Sequence, residues 1–311
     1  MVRPRKAVVL GISVFIFSLS AFSKTVSRYE RLKITAMNIK YYGLGGKHGG
    51  DFKDEKRDRH LVDFLSSDVL NSDIAVFEEI VDVNRFVKNI IQGRLRCTSY
   101  DDPNERHQHV VICYKNDFRL EKEPGDQNYI IEEAKLGREK SRPAVYGLLK
   151  HKDGTPLFHI VGLHLKAYPD ESTTRVEQSR VISKRLAELR DGTPYLLLGD
   201  YNTYRAPKNG QQQDDVDLIS QTYQQFGMDV THLRNQSPFT YKNGKYEMKL
   251  DHIWIGKSVE VIKPLRSLGI CSNESHLIEN EQNKKYKNIK YYNKNISDHC
   301  PITTTVQIKR Y

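Results

Sequence analysis

Six short apolar runs in this chain each stop, or start, at a side chain able to hold a cation or carry a proton. Asn38 follows "ITAM", Glu79 follows "DIAVFE", His164 follows "FHIVGL", and Asp200 and Asn202 follow "YLLLG". Asp251 precedes "HIWIG", and Asp298 and His299 stand just before the run that opens at Pro301 and Ile302. "IVGL" and "YLLLG" do not alternate apolar with polar, so these strands are buried on both faces, as in two sheets packed together with helices outside. Strands arranged in this way bring their polar ends to one edge. The pattern predicts an α/β fold with a polar constellation at one rim.

Runs rich in Val, Ile and Tyr place strands at 32–39, 74–78, 109–114, 144–149, 157–163, 195–198, 252–255 and 302–308. A helix is expected over 172–190, where Ile182, Leu186 and Leu189 recur at helical spacing before Asp191-Gly192. A second is expected over 57–70. Glu78 should face away from Glu79, His252 should be a packing or hydrogen-bonding residue, and Trp254 should be core.

Arg3, Arg5 and Lys6 precede a nearly unbroken apolar stretch at 7–22, and Ala21-Phe22-Ser23 fits a small-x-small cleavage site. Residues 1–23 therefore read as a signal peptide, and the protein as secreted or periplasmic with no stable membrane association once cleaved. Residues 24–311 have the size of a single domain, and a monomer is favoured. The chain has a formal charge of +10, of which +7 remains after residues 1–23, which suits a polyanionic partner. Cys97 and Cys113 flank a polar segment and are either bridged across a hairpin or both free. Cys300, in an expected core strand, should be an unpaired thiol.

Phosphodiester hydrolysis needs a cation held by oxygen donors, a positioned base, and donors aimed at the developing charge. Glu79 can ligate the metal, while His164, Asp200, Asn202 and His299 can position water and stabilise charge. Asp251 can fix the tautomer of an imidazole. A set dominated by carboxylates favours Mg²⁺, with Mn²⁺ or Ca²⁺ as alternatives.

The motifs "MNIKYYG", "DIAVFEEI", "SRPAVYGLL", "GLHLKA", "LLLGDYNTY", "KLDHIWI" and "ISDHCPI" occur in the order of the endonuclease/exonuclease/phosphatase superfamily, and the chain resembles it from Leu32 to Ile308. The resemblance implies a four-layer α/β/β/α sandwich of two mixed sheets, like deoxyribonuclease I, with the site where strand ends of both sheets meet. It implies metal binding by Glu79, supported by Asn38 and Asp298. It also implies His299 as general base held by Asp251, with Asp200, Asn202 and His164 at the scissile phosphate.

Gln108 stands where the pancreatic-type nucleases carry a glutamate for the second histidine. An amide can orient an imidazole but cannot stabilise its charged form, which weakens a general-acid role for His164. Arg142 in "SRPAV" is a candidate phosphate contact. The segment "NKKYKNIKYYNKN" reads either as a solvated insertion or as a nucleic-acid contact. In the second reading Lys284, Lys285, Lys287 and Lys290 meet phosphates, and tyrosines such as Tyr291 meet sugars or bases. The favoured function is an exported metal-dependent endonuclease acting on DNA, or on RNA as well. The alternative is a secreted sphingomyelinase-type phosphodiesterase of the same fold.

Overall fold

The computed structural model describes residues 29–44, 54–100, 108–123, 125–126, 128–136, 142–189, 191–204, 214–272 and 286–309. The expected signal peptide 1–23, Lys284 and Lys285 lie outside these residues. Among the described residues the strands form two large sheets and a small hairpin. In spatial order the first sheet runs Glu260–Ser267, Ile302–Lys309, Tyr29–Tyr42, Ile74–Ile80, His109–Tyr114 and Arg96–Thr98. The path of the second runs Val230–His232, Asp251–Gly256, Tyr195–Asp200, Pro156–His164, Ala144–His151 and Phe118–Glu121. Both sheets are mixed: Tyr29–Tyr42 runs parallel to Ile74–Ile80, and Pro156–His164 parallel to Tyr195–Asp200.

Successive side chains of a strand point to opposite faces, and here both faces are apolar. Ala36 and Val76 belong to the core shared by the two sheets, whereas Met37 and Phe77 join Leu61, Leu65 and Tyr292 from the helices Asp54–Leu65 and Ile289–Asn295. In the second sheet Leu196 and Leu198 face the shared core. Leu197 and Trp254 pack with Ile182, Leu186 and Ile219 from the helices Ser172–Ala187 and Asp215–Gln225. Three apolar layers thus separate four structural ones, the α/β/β/α sandwich. The runs that did not alternate in sequence are the ones covered on both sides.

The long helix stops at Ala187 rather than 190, and the one expected over 57–70 ends at Leu65. Beyond it, Asp68 turns out to meet the ammonium of Lys33. Strand Glu260–Ser267 was not legible, because Glu260, Val261, Lys263 and Pro264 leave it largely exposed at the edge of its sheet.

That strand overturns one expectation. Ser267 pairs with Ile302 and the Leu268 amide donates to the Pro301 carbonyl at 2.8 Å, which brings the turn Gly269–Cys271 beside Cys300. Cys300 is therefore not a free thiol but bonded to Cys271. Cys97 and Cys113 also form a disulfide, directly opposite each other in an antiparallel pair. Unfolded without reductant, the protein should show no titratable thiol, and four after reduction. Replacing Cys271 and Cys300 together by Ser should lower stability by about 2–4 kcal/mol. Denaturant unfolding measures this, and an unmoved midpoint would show that the bridge contributes nothing.

Candidate active site

Backbone register assembles the centre. His164 is level with Asp200 across a parallel pair, and Asp200 is level with Asp251 across the antiparallel pair on its other side. In the facing sheet Asn38 is level with Glu78. Asn38 then joins the two sheets: its amide donates to Glu79 Oε1 and to Asp200 Oδ2, both at 3.0 Å.

Glu79 reaches that amide through an irregular backbone. Its φ is +59°, and the pairing register slips between Phe77 and Ile80. A side-chain-bearing residue in the left-handed region marks stored strain. The turned carboxylate accepts from the Tyr41 amide at 3.1 Å and from Gln108 Nε2 at 3.3 Å. Gln108 is therefore engaged by Glu79 and not by His164. Its Oε1 and the Nδ1 of His164 are both buried with no hydrogen-bond partner.

Glu78 is not turned away to a merely structural position, as the sequence suggested. It is fully buried toward the shared core, within electrostatic reach of Asp251, Asp200 and His299, and neither carboxyl oxygen has a hydrogen-bond partner. Burial first, then the Asp251 and Asp200 charges, push its carboxyl well above the carboxylate range. Gly199 leaves room for it: a Cβ there would lie 2.1 Å from the Leu163 carbonyl and 2.7 Å from Glu78 Oε1.

The His299 ring faces Asp251 through Nδ1 at 2.9 Å, and its Nε2 lies 3.7 Å from Asp200 Oδ2. Burial works against charge on this ring, but Asp251 and Asp200 overcome it and hold the imidazolium well above its ordinary range. His164, 3.5 Å from Asp200 Oδ2 and 3.9 Å from Glu79 Oε1, shifts the other way. Burial, then the positive Arg142 and His299, keep it neutral. Asp200 is pushed up by burial and by Asp251, with His299 opposing. Asn202, at φ +49°, donates its backbone N–H to Asp200 Oδ1 at 2.8 Å and its amide to the Leu165 carbonyl. His252 is a hydrogen-bonding residue, held by Thr203 Oγ1 at 2.7 Å and His232 Nε2 at 3.0 Å.

Asn38, Glu79, His164, Asp200, Asn202, Asp251 and His299 are thus brought together. Asp298 instead holds the ammonium of Lys40 at 2.6 Å. Arg142 lies near enough to act on His164 and Tyr41. Lys287 and Lys290 are exposed on or beside the short helix Ile289–Asn295. The tyrosines of this segment are not offered to a ligand as expected: Tyr286 and Tyr292 are buried against Phe64, and the Tyr291 hydroxyl meets His60 Nε2 at 3.3 Å.

Sequence reasoning missed the supports. The buried guanidinium of Arg57 donates to the carbonyls of Ile39, Lys40 and Ile296, tying the Asn38 strand end to the approach of Asp298. Ser297 Oγ donates to the Asn38 carbonyl at 2.8 Å and accepts from the His299 amide. Thr240 Oγ1 accepts from the Asp251 amide, and the Thr240 carbonyl accepts from the Cys300 amide. Only Ser297, inside the "SDHC" motif, had any sequence signal.

Asp200, Asp251 and His299 offer ligand atoms within 4.8 Å of one another. His299 is already matched to Asp251, so oxygen donors dominate what remains: Asp200 and Glu79, bridged by the Asn38 amide. With an unpartnered buried Glu78 behind them, these residues fit a hard divalent cation.

Two packed mixed sheets between helical layers, with Asp and His residues gathered at one rim, define the deoxyribonuclease I-like class of sandwich. Solved structures carry the same fold. An endonuclease/exonuclease/phosphatase family protein from Bacteroides thetaiotaomicron matches with a TM-score of 0.60 at 17% identity, covering 90% of this chain and 99% of that one. The endonuclease/exonuclease/phosphatase from Bacteroides vulgatus matches at 0.61 and 14%, covering 90% and 100%. D. rerio TDP2 complexed with a single-strand DNA product matches at 0.58 and 15%, covering 89% and 98%. No protein-family model matches the sequence. No curated protein matches it either.

Asp251→Asn should bring the His299 imidazole down toward its ordinary range, because one of its two main charge partners is gone. Titration of the ring C–H resonances by NMR checks this in metal-free protein, and an unmoved titration would exclude Asp251 as the cause.

Proposed function

We infer that this chain is a divalent-metal-dependent phosphodiesterase that cleaves nucleic acid, DNA first, and that it is made for export. The carrying observation is the meeting at one rim of the Asp251–His299 pair, a second imidazole at His164, and the carboxylates of Glu79 and Asp200. Asp251 fixes Nδ1 of His299, so Nε2 exchanges the proton with attacking water or leaving oxygen. His164, kept neutral, serves as a hydrogen-bond donor to the phosphate and not as a charged acid. Asn202 and Arg142 supply further donors to phosphoryl oxygens. Glu79 and Asp200, with Asn38 or Asp298 in support, would hold Mg²⁺, Mn²⁺ or Ca²⁺, which would supply Lewis acidity and a lowered water pKa.

Three observations favour nucleic acid over a sphingolipid. The positive formal charge suits a polyphosphate. Lys287 and Lys290 are exposed close before Asp298. The hairpin of Tyr241–Asn243 and Tyr246–Met248, which bridges to His299, presents Lys245, Tyr246 and Glu247 in place of aliphatic side chains. The two disulfides support export to an oxidising compartment.

Plasmid DNA should be degraded with Mg²⁺ and spared with a chelator, and His299→Ala should cut the rate by about 10²–10⁴-fold. Protein that cleaves sphingomyelin but leaves DNA and RNA intact would replace this reading with the lipid one. Lys40→Met, which frees Asp298 of its ammonium, should tighten Mn²⁺ binding several-fold by calorimetry. Weaker or equal binding would mean that Lys40 does not compete for the cation.

A further inference from the structure

Tyr168 is out of place by every local rule. It follows His164 by four residues, is 65% exposed, and sits at φ +84° and ψ 144°, a region that ring-bearing residues rarely adopt. The ring itself is left in water, so its own burial does not stabilise this backbone. Strain of this kind persists only where the surroundings over-determine it.

The surroundings do so here. Arg175, fully buried, donates from Nη1 to the Tyr168 carbonyl at 2.6 Å and to the Lys166 carbonyl at 2.9 Å. Its other nitrogens bind Asp215 Oδ2 at 3.0 and 2.7 Å, and that same oxygen accepts the Tyr204 amide at 2.9 Å. The guanidinium also lies over the Tyr204 ring, 5.3 Å from its centroid. One buried ion pair therefore clamps the loop leaving His164 and the loop leaving Asp200 and Asn202, each at a tyrosine. Tyr41 completes the rim: burial and the Glu79 charge push its hydroxyl up, and Tyr168 is close enough to add to that. The Tyr204 hydroxyl is raised by burial, and Tyr168 acts on it as well.

We propose that Tyr168, held by the Arg175–Asp215 clamp and flanked by Tyr204 and Tyr41, is a stacking platform that selects unpaired nucleotides of single-stranded nucleic acid. This rests on the nuclease reading above. The faces of bases are available to an aromatic ring only when the bases are unstacked; inside a duplex they are covered. A ring fixed four residues from His164 takes hold of a base next to the bond to be cut, and a duplex presents only its backbone there.

The test is binding of 5′-fluorescein dodecathymidylate, read by anisotropy with a chelator present to stop cleavage. Tyr168→Ala should weaken this single strand by about 5- to 100-fold, and Tyr168→Phe should leave it near the parent value. A labelled duplex of equal length, and a dodecamer of base-free sugar-phosphate units, should bind parent and Tyr168→Ala alike. Equal losses on single strand, duplex and base-free strand would overturn the proposal, as would no loss on the single strand. Parent protein that cleaves DNA while indifferent to Tyr168 removes the platform alone. Parent protein that neither binds nor cleaves nucleic acid removes the nuclease reading with it. Unfolding midpoints of Tyr168→Ala and Tyr168→Gly should not fall, since the ring is exposed and Gly relieves the backbone.

Discussion

Asp200 is the point to which the two sheets are fitted. It is level with His164 on one side and with Asp251 on the other, and it accepts the Asn38 amide from the opposite sheet. Asp200, Asp251 and Glu78 are all buried around it. Water is scarce there, so several like charges cannot stand together uncompensated. The response is divided: Glu78 is driven toward its neutral form, while His299 is held as a cation. The rim is therefore a place that draws positive charge, whether from an imidazolium, from the Lys40 ammonium at Asp298, or from a bound metal.

Two histidines in one small site are pushed in opposite directions by their neighbours. His299 has a carboxylate behind its ring, and His164 has only burial, nearby cations and an unbonded Nδ1. Environments that separate two identical side chains in this way also separate their tasks. His299 is the imidazole held as a cation, and His164 the one held neutral. The strand ends around His299 are tied by Arg57, Ser297 and Thr240 through backbone carbonyls and amides.

Strand ends closing in Asn, Glu, His and Asp were readable, because apolar runs buried on both faces have one place to put a polar residue. The sandwich and its gathered centre followed from that pattern and from the order of the motifs. The supports were not readable. Arg57 lies within "DEKRDRH", where composition does not separate a buried guanidinium from its exposed neighbours. Strand Glu260–Ser267 hid behind its own exposed side chains, and with it went the partner of Cys300. Tyr286 and Tyr292 sit in a lysine-rich stretch that looks solvated, yet both rings turn inward while Lys287, Lys290 and Lys294 stay outside. Glu78 was misplaced because the kink at Glu79 breaks the alternation on which its direction was judged.

Cys300 is bonded to His299 through the chain and to Cys271 through sulfur, so the ring that faces Asp251 is one residue from a covalent tie. The bridge is the covalent member of a set of ties on the segment carrying Asp298 and His299, the others being Ser297 to the Asn38 carbonyl, Arg57 to the Ile296 carbonyl, Lys40 to Asp298 and Asp251 to His299.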